Sequence, residues 1–264
     1  MHPILFRLGT FPIGTYGLLL ALGFVAGTAL ARRMGRGDQL PGEAITDLAV
    51  ALLLAGILGS KLLMVIVDLI QGAPLSEVFS MGTLRAGGAI HGGLIAGAVT
   101  FFWKVRGNPD LPLRATADAL APGVALGQAI GRLGCFAAGC CYGTTCDLPW
   151  AVTYTHPESG AAHTAFFGVP LHPVQVYTTL LHLGILGILL GVRRARRWQG
   201  QVFSAWMVLE GLGRIFIEHW RGDLDRGVWM SLPWLSTGRI TGVIFMAFGA
   251  LLWWAWRPKA TETA

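Results

Sequence analysis

The densest chemistry in this sequence lies in the stretch Gly131-Arg132-Leu133-Gly134-Cys135-Phe136-Ala137-Ala138-Gly139-Cys140-Cys141-Tyr142-Gly143. Its glycines let the backbone bend and approach a ligand closely. Arg132 supplies a planar guanidinium that grips a phosphate through paired hydrogen bonds. At the end of an apolar run, these residue types point to a lipid headgroup site. The plainer reading is a glycine-rich packing segment with one interfacial arginine. The four cysteines, Cys135, Cys140, Cys141 and Cys146, lack a CxxC pair, so their spacing argues weakly for zinc and no metal or other cofactor is expected. His91 lies between glycine pairs in Gly87-Gly88-Ala89-Ile90-His91-Gly92-Gly93. An imidazole there could act as a general base or could only hydrogen-bond lipid and backbone. His156 and His163 read as solvated loop residues, and His172, before Pro173, as a residue positioning a helix entry.

The elements that must hold these residues are membrane helices. Of 264 residues, 53% are hydrophobic and 13% charged, about half the charge usual in soluble domains. Apolar runs near the roughly 20 residues of a membrane span occur at Gly14–Ala31, Ile45–Ile70, Gly87–Trp103, Ala115–Ala137, Pro173–Val192, Val202–Phe216 and Gly238–Trp256. The expected fold is all-α: one polytopic integral membrane domain over 1–264, a bundle of about seven transmembrane helices. A small extracytoplasmic cap segment is expected over about 138–172. Gly and Ala in the runs allow close helix approach. The N-terminus lacks a basic region and a small-residue cleavage site before its first run, so that run reads as a retained helix.

The formal charge of +6 orients such a chain and does not indicate nucleic acid, for which no basic patch interleaved with aromatics is present. Basic clusters follow the first run (Arg32, Arg33, Arg36), the third (Lys104, Arg106), the fifth (Arg193, Arg194, Arg196, Arg197) and the seventh (Arg257, Lys259). With seven spans all four fall on one side, which puts the N-terminus outside and the C-terminus in the cytoplasm. Lys61, Arg132 and Arg214 lie within or at the ends of apolar runs, where a charge costs about 2.5–3.5 kcal/mol on insertion scales. Asp118, Glu210 and Glu218 are their candidate partners. The bland reading of each is a structural ion pair; several converging on one end of a bundle make an anion site.

The ordered motifs resemble those of the prolipoprotein diacylglyceryl transferase family. The Arg132 segment is similar to that family's Gly-Arg-x-Gly-Asn-Phe followed by Asn-Gly-Glu and a closing glycine, here Gly143. Tyr16-Gly17, Gly59-Ser60-Lys61, the His91 stretch, Asp118 with Ala121-Pro122, His172-Pro173-Val174-Gln175-Val176-Tyr177, and Gly213-Arg214 through Glu218 and Arg221 resemble further family motifs in order. The resemblance spans nearly the whole chain. It departs at Cys135 and Ala138, which replace Asn, at Cys140, which replaces Glu, and at Glu210, which replaces Tyr. The hydrogen-bonding roles of that Asn and Glu therefore do not carry over, since a thiol is a weak donor and acceptor.

The resemblance implies a bacterial inner-membrane enzyme of lipoprotein biosynthesis. Its partners would be phosphatidylglycerol, prolipoprotein lipobox peptides and membrane lipids. It would move the diacylglyceryl group of phosphatidylglycerol to the lipobox cysteine thiol, forming a thioether and releasing glycerol 1-phosphate. Arg132 and Arg214 would stabilise the leaving phosphate, and His91 would take the thiol proton. Tyr16, Tyr177 and Gly143 would contact the lipid. Asp118, Glu218, Lys61, Cys135 and Cys140 would support the site. Two rivals are a lipid-binding or translocating relative without chemistry and, less favoured given adjacent Cys140 and Cys141, a membrane thiol–disulfide protein.

Overall fold

Runs of the length a bilayer demands become helices. The computed structural model describes residues 2–9, 11–74, 76, 88–162, 164–222 and 236–258; Gly87, His163 and Lys259 lie outside them. Among the described residues the elements are β1 (Ile4–Leu8), β2 (Phe11–Gly14), α1 (Thr15–Arg36), α2 (Gly42–Ile70), α3 (Ile90–Val105), α4 (Leu113–Ala138), β3 (Val152–Thr153), β4 (Pro170–Leu171), α5 (Val174–Arg194), α6 (Gln201–Ile217), a 3-10 turn (Glu218–Trp220) and α7 (Thr237–Trp256). Four of these, α1, α2, α5 and α7, are long and apolar enough to cross a membrane, and α3 is a shorter apolar helix. Their surfaces are inside-out by the standard of a soluble protein: Leu58, Ile70, Trp103 and Trp254 are exposed. Apolar side chains facing outward are the natural surface of a helix bathed in lipid. The chain is a helical membrane protein.

The fold divides into two units, residues 1–34 with 117–264, and residues 35–116. In the second unit α2 and α3 pack through small residues. A Cβ on Gly93 would come 2.9 Å from the Gly56 carbonyl, and one on Gly88 2.6 Å from Ser60 Oγ. Such close backbone approach supplies the packing that a lipid solvent cannot drive hydrophobically. His91 stands in the first turn of α3 and Lys61 within α2.

In the first unit α1 and α4 meet along matched glycines. Gly23 and Gly27 on α1 face Gly127 and Gly123 on α4, where a Cβ on Gly27 would come 2.6 Å from the Gly123 carbonyl. Ala121 and Ala125 of α4, Ile185 and Leu189 of α5, and Val202 of α6 form a buried core. At one end of this unit Arg193 Nη2 of α5 donates to the Met34 carbonyl of α1 at 2.6 Å. Gly200, which precedes α6, lies against the Trp256 ring at the end of α7. The basic ends of α1, α5 and α7 are thus gathered at one end.

The other end carries β1 and β2, an antiparallel hairpin turning at Gly9 (φ +61°), and the 139–173 segment. That segment has its own apolar cluster of Tyr142, Tyr154, Ala161 and Leu171. Its short strands β3 and β4 pair antiparallel. The backbone around Gly143 threads between two neighbours: Gly143 N donates to the His172 carbonyl (3.0 Å) and Thr144 N to the Trp220 carbonyl (2.9 Å).

Candidate active site

The C-terminal end of α4 is closed by a fold-back that the cysteine spacing alone does not show. Cys140 N–H donates to the Cys135 carbonyl (3.1 Å) and Gly139 N–H to the Phe136 carbonyl (3.2 Å), with Gly139 at φ +68°. This is the Schellman pairing, in which a left-handed residue just past the helix returns the chain over its last turn. Cys141 also adopts a left-handed conformation, φ +59°. The consequence is that the sulfurs of Cys135, Cys140 and Cys141 all lie within 4.8 Å of one another. Gln175, fully buried, locks the turn from α5 by donating to the Cys140 carbonyl (2.7 Å) and to Tyr154 Oη (2.9 Å). Gly160 N–H donates to the Ala138 carbonyl (2.9 Å).

The sulfur contacts of Cys140 with Cys135 and then Cys141, followed by burial, push the Cys140 thiol well above the ordinary range. Burial likewise raises Tyr154, to about 12.

One helical turn before Cys135 stands Arg132, half-buried. Among the described residues no carboxylate pairs with it. Tyr16, at the start of α1, lies against Gly134: a Cβ there would come 3.2 Å from the Tyr16 ring. Tyr16 is within electrostatic reach of Arg132 and of all three clustered cysteines. Tyr177 on α5 accepts from Trp150 Nε1 (2.7 Å) and contacts His172 Nδ1 (3.2 Å). Gly143 is packed so closely that a Cβ would meet the Trp220 carbonyl at 2.5 Å and His172 Cβ at 2.6 Å, so its identity is dictated by space. Arg214 on α6 pairs with Glu218, one of the three candidate carboxylates, at 2.9 Å.

The expectation for Asp118 needs correction. It supports neither Arg132 nor Arg214. Its Oδ2 accepts from Arg196 Nη1 (3.1 Å) and Gly200 N (2.8 Å), and its Oδ1 from Phe203 N (2.8 Å). The reason is distance: fourteen residues separate Asp118 from Arg132, about 21 Å along a helix. Asp118 instead caps the N-terminal end of α6, where backbone N–H groups lack helical partners. His91 and Lys61 belong to the other unit.

Glu210 joins three helices through Gln128 and His182, two residues that the motifs did not single out. Gln128 Nε2 on α4 donates to Glu210 Oε1 on α6 (3.0 Å), and His182 Nε2 on α5 contacts the same oxygen (3.3 Å). Gln128 and Glu210 each stand four residues before an arginine, Arg132 and Arg214, so their bond fixes α4 to α6 one turn below both guanidinium groups. The signal available was a polar residue at i−4 from each arginine.

The family model described as prolipoprotein diacylglyceryl transferase matches residues 3–255. The chain belongs to the prolipoprotein diacylglyceryl transferase family. Relatives named phosphatidylglycerol–prolipoprotein diacylglyceryl transferase include one from Clostridium tetani, 32% identical across 94% of this chain and 95% of the relative. Another, from Gloeobacter violaceus, is 31% identical across 99% and 96%. A third, from Parasynechococcus marenigrum, is 32% identical across 97% and 95%. In this member of the family, the turn at Gly139 presents clustered thiols beside Arg132.

Proposed function

We propose that this chain transfers the diacylglyceryl group of phosphatidylglycerol to the lipobox cysteine thiol of a prolipoprotein. The observation that carries the site assignment is Arg132, a half-buried guanidinium on an apolar helix with no carboxylate partner among the described residues. A charge in that setting calls for a counter-ion, and a lipid phosphate supplies one with two-point geometry. Arg214, held by Glu218 on the helix tied to α4 through Gln128 and Glu210, is the second phosphate contact.

In the reaction the substrate sulfur attacks the glycerol carbon bonded to the phosphate oxygen. The C–S bond forms as the C–O bond breaks, and glycerol 1-phosphate departs with its charge stabilised by the two guanidinium groups. The thiol proton goes to a base, the role proposed for His91. Tyr16, Tyr177 and Gly143 border the lipid, and Lys61 and Glu218 support the charged groups. No acyl-enzyme or glyceryl-enzyme intermediate is needed, because the substrate brings its own nucleophile.

The proposed setting is the bacterial inner membrane, with seven spans, the N-terminus and the 138–172 cap outside and the C-terminus in the cytoplasm. What supports this orientation is the gathering of the basic ends of α1, α5 and α7 at one end of the first unit, as cytoplasmic charge would require.

The test is complementation of a bacterium depleted of its own transferase. Growth with lipidated lipoprotein is the expected result. Failure to restore either, with the chain inserted at normal levels, would favour a lipid-binding relative in which replacement of Asn and Glu by Cys135, Ala138 and Cys140 has abolished the chemistry.

A further inference from the structure

We propose that Cys135, Cys140 and Cys141 form a zinc site whose fourth coordination position receives the thiol of the incoming lipobox cysteine. The three sulfurs lie within 4.8 Å of one another. Zinc thiolate bonds of about 2.3 Å place tetrahedral sulfurs about 3.8 Å apart, so the cluster needs to contract by only about 1 Å. Small side-chain rotations achieve that.

The convergence is built by the backbone. The Schellman turn puts Cys140 over Cys135, and the left-handed conformation of Cys141 brings a third sulfur from the adjacent residue. Gln175 holds the Cys140 carbonyl. Gly160 admits no side chain, since its Cβ would lie 2.9 Å from Cys140 Cβ. Metal ligands oriented by such outer bonds are preorganised.

The donor set selects the ion. Three thiolates suit a soft or borderline cation and exclude magnesium and calcium, which take oxygen ligands. Zinc holds four ligands, and a site with three from the protein is the open, catalytic kind. Three thiolates and one Zn2+ carry a net charge of −1, and the Arg132 guanidinium, one turn away on α4, lies beside it.

The chemistry supplies the thiolate that the reaction needs. A cysteine thiol is mostly protonated at neutral pH, and only its thiolate attacks carbon. A thiol bound to zinc is deprotonated outright. The substrate thiol displaces water from the fourth position; its proton leaves on that water and passes to the general base. The bound sulfur then forms the C–S bond as the glycerol C–O bond to phosphate breaks. The product thioether, a weaker ligand than a thiolate, gives up its position to water. The three cysteines are metal ligands throughout and form no covalent link to the lipid.

This role rests on the transfer reaction proposed above; the zinc site itself does not. Its test begins with the full chain purified in detergent from zinc-supplemented cells and freed of loosely bound metal. Elemental analysis is expected to give about one zinc per chain. Replacement by Co2+ should give the thiolate-to-cobalt charge-transfer absorption of a three-sulfur site. Cys135→Ser and Cys140→Ser should lose the ion and the absorption. Cys140→His, which keeps a zinc ligand, should retain the ion, and Cys146→Ser, outside the cluster, should behave as wild type.

Substoichiometric zinc in the wild type, zinc retained equally in all the serine variants, or a Cys135–Cys140 disulfide in place of the ion would each overturn the site. Stoichiometric zinc with transfer unaffected by its removal would overturn the thiol-binding role. Stoichiometric zinc without any transfer would leave the site standing and refute the reaction.

Discussion

Helix α4 carries charge at both ends, and the two ends are solved differently. At one, Asp118 is wholly buried and its two oxygens accept from Arg196, Gly200 and Phe203. At the other, Arg132 meets no carboxylate among the described residues, and three thiols converge beside it. The first end is a closed account of donors and acceptors that ties α4 to α6. The second leaves a cation and three clustered thiols, which on the proposal above a ligand completes. Charge inside an apolar bundle is therefore not a functional signal by itself. What distinguishes a site from a strut is whether the protein satisfies the charge on its own.

Breaking the closed end should have the largest effect on stability. Asp118→Ala removes a buried carboxylate that accepts from Arg196 and from two backbone N–H groups, a loss of about 3–5 kcal/mol. Unfolding in detergent micelles should show it as a lower folded fraction, while transfer per folded molecule is retained. A collapse in the rate of the folded molecules would instead make Asp118 part of the site.

Next in size is Gly139→Ala at the open end. A Cβ there would come 2.8 Å from Tyr154 Cδ1 and 2.9 Å from Ser159 Cβ, on a left-handed backbone. The conformation costs about 1–2 kcal/mol, and displacing the turn moves Cys140. A lowered melting temperature accompanied by several-fold slower transfer is expected. Unchanged transfer would show that the turn's geometry does not matter to the chemistry.

Glu218→Gln sharpens the comparison on α6, because Arg214 is the arginine that has a carboxylate. Losing that charge should reduce transfer several-fold, while the amide oxygen still accepts from Ser236 Oγ, so the loss of stability should stay below that of Gly139→Ala. The smallest effect belongs to Arg7, whose bond to Glu158 at 2.6 Å joins the N-terminal hairpin to the 139–173 segment at the surface. Both side chains are about half exposed, so Arg7→Ala should shift stability by under about 1 kcal/mol. A larger shift, measured in the same unfolding assay, would mean the hairpin is a structural clamp.

The helices were legible because an apolar run is a local signal. The run Pro173–Val192 became Val174–Arg194, and Val202–Phe216 became Gln201–Ile217. α1 continues through Arg32 and Arg33 to Arg36, beyond the apolar run that ends at Ala31, because long cationic side chains reach polar surroundings without ending the helix. Glu218 was one of three carboxylates offered as partners, and its bond to Arg214 is a local i,i+4 relation that the sequence can suggest. The partners of Asp118 lie 78 to 85 residues away, and no local pattern reports them. The N-terminal hairpin, with pairs such as Arg7 and Pro12, lacked the regular alternation that marks a strand. The thiol cluster was hidden for a related reason. Metal spacing rules assume ligands on a simple loop, whereas here a helix's end turns back on itself and brings residues 135 and 140 together.

Arg132, proposed as a charge that the lipid phosphate satisfies, is the centre of the site. The most direct measurement is the rate of diacylglyceryl transfer from phosphatidylglycerol vesicles to a lipobox peptide, followed by the mass of the peptide, for wild type and Arg132→Lys at equal folded concentration. An ammonium keeps the charge but not the planar two-point grip. The rate should fall on the order of a hundredfold with melting unchanged. A variant within about twofold of wild type, well below any effect of losing a transition-state donor, would remove Arg132 from the site and contradict the distinction between the two ends of α4.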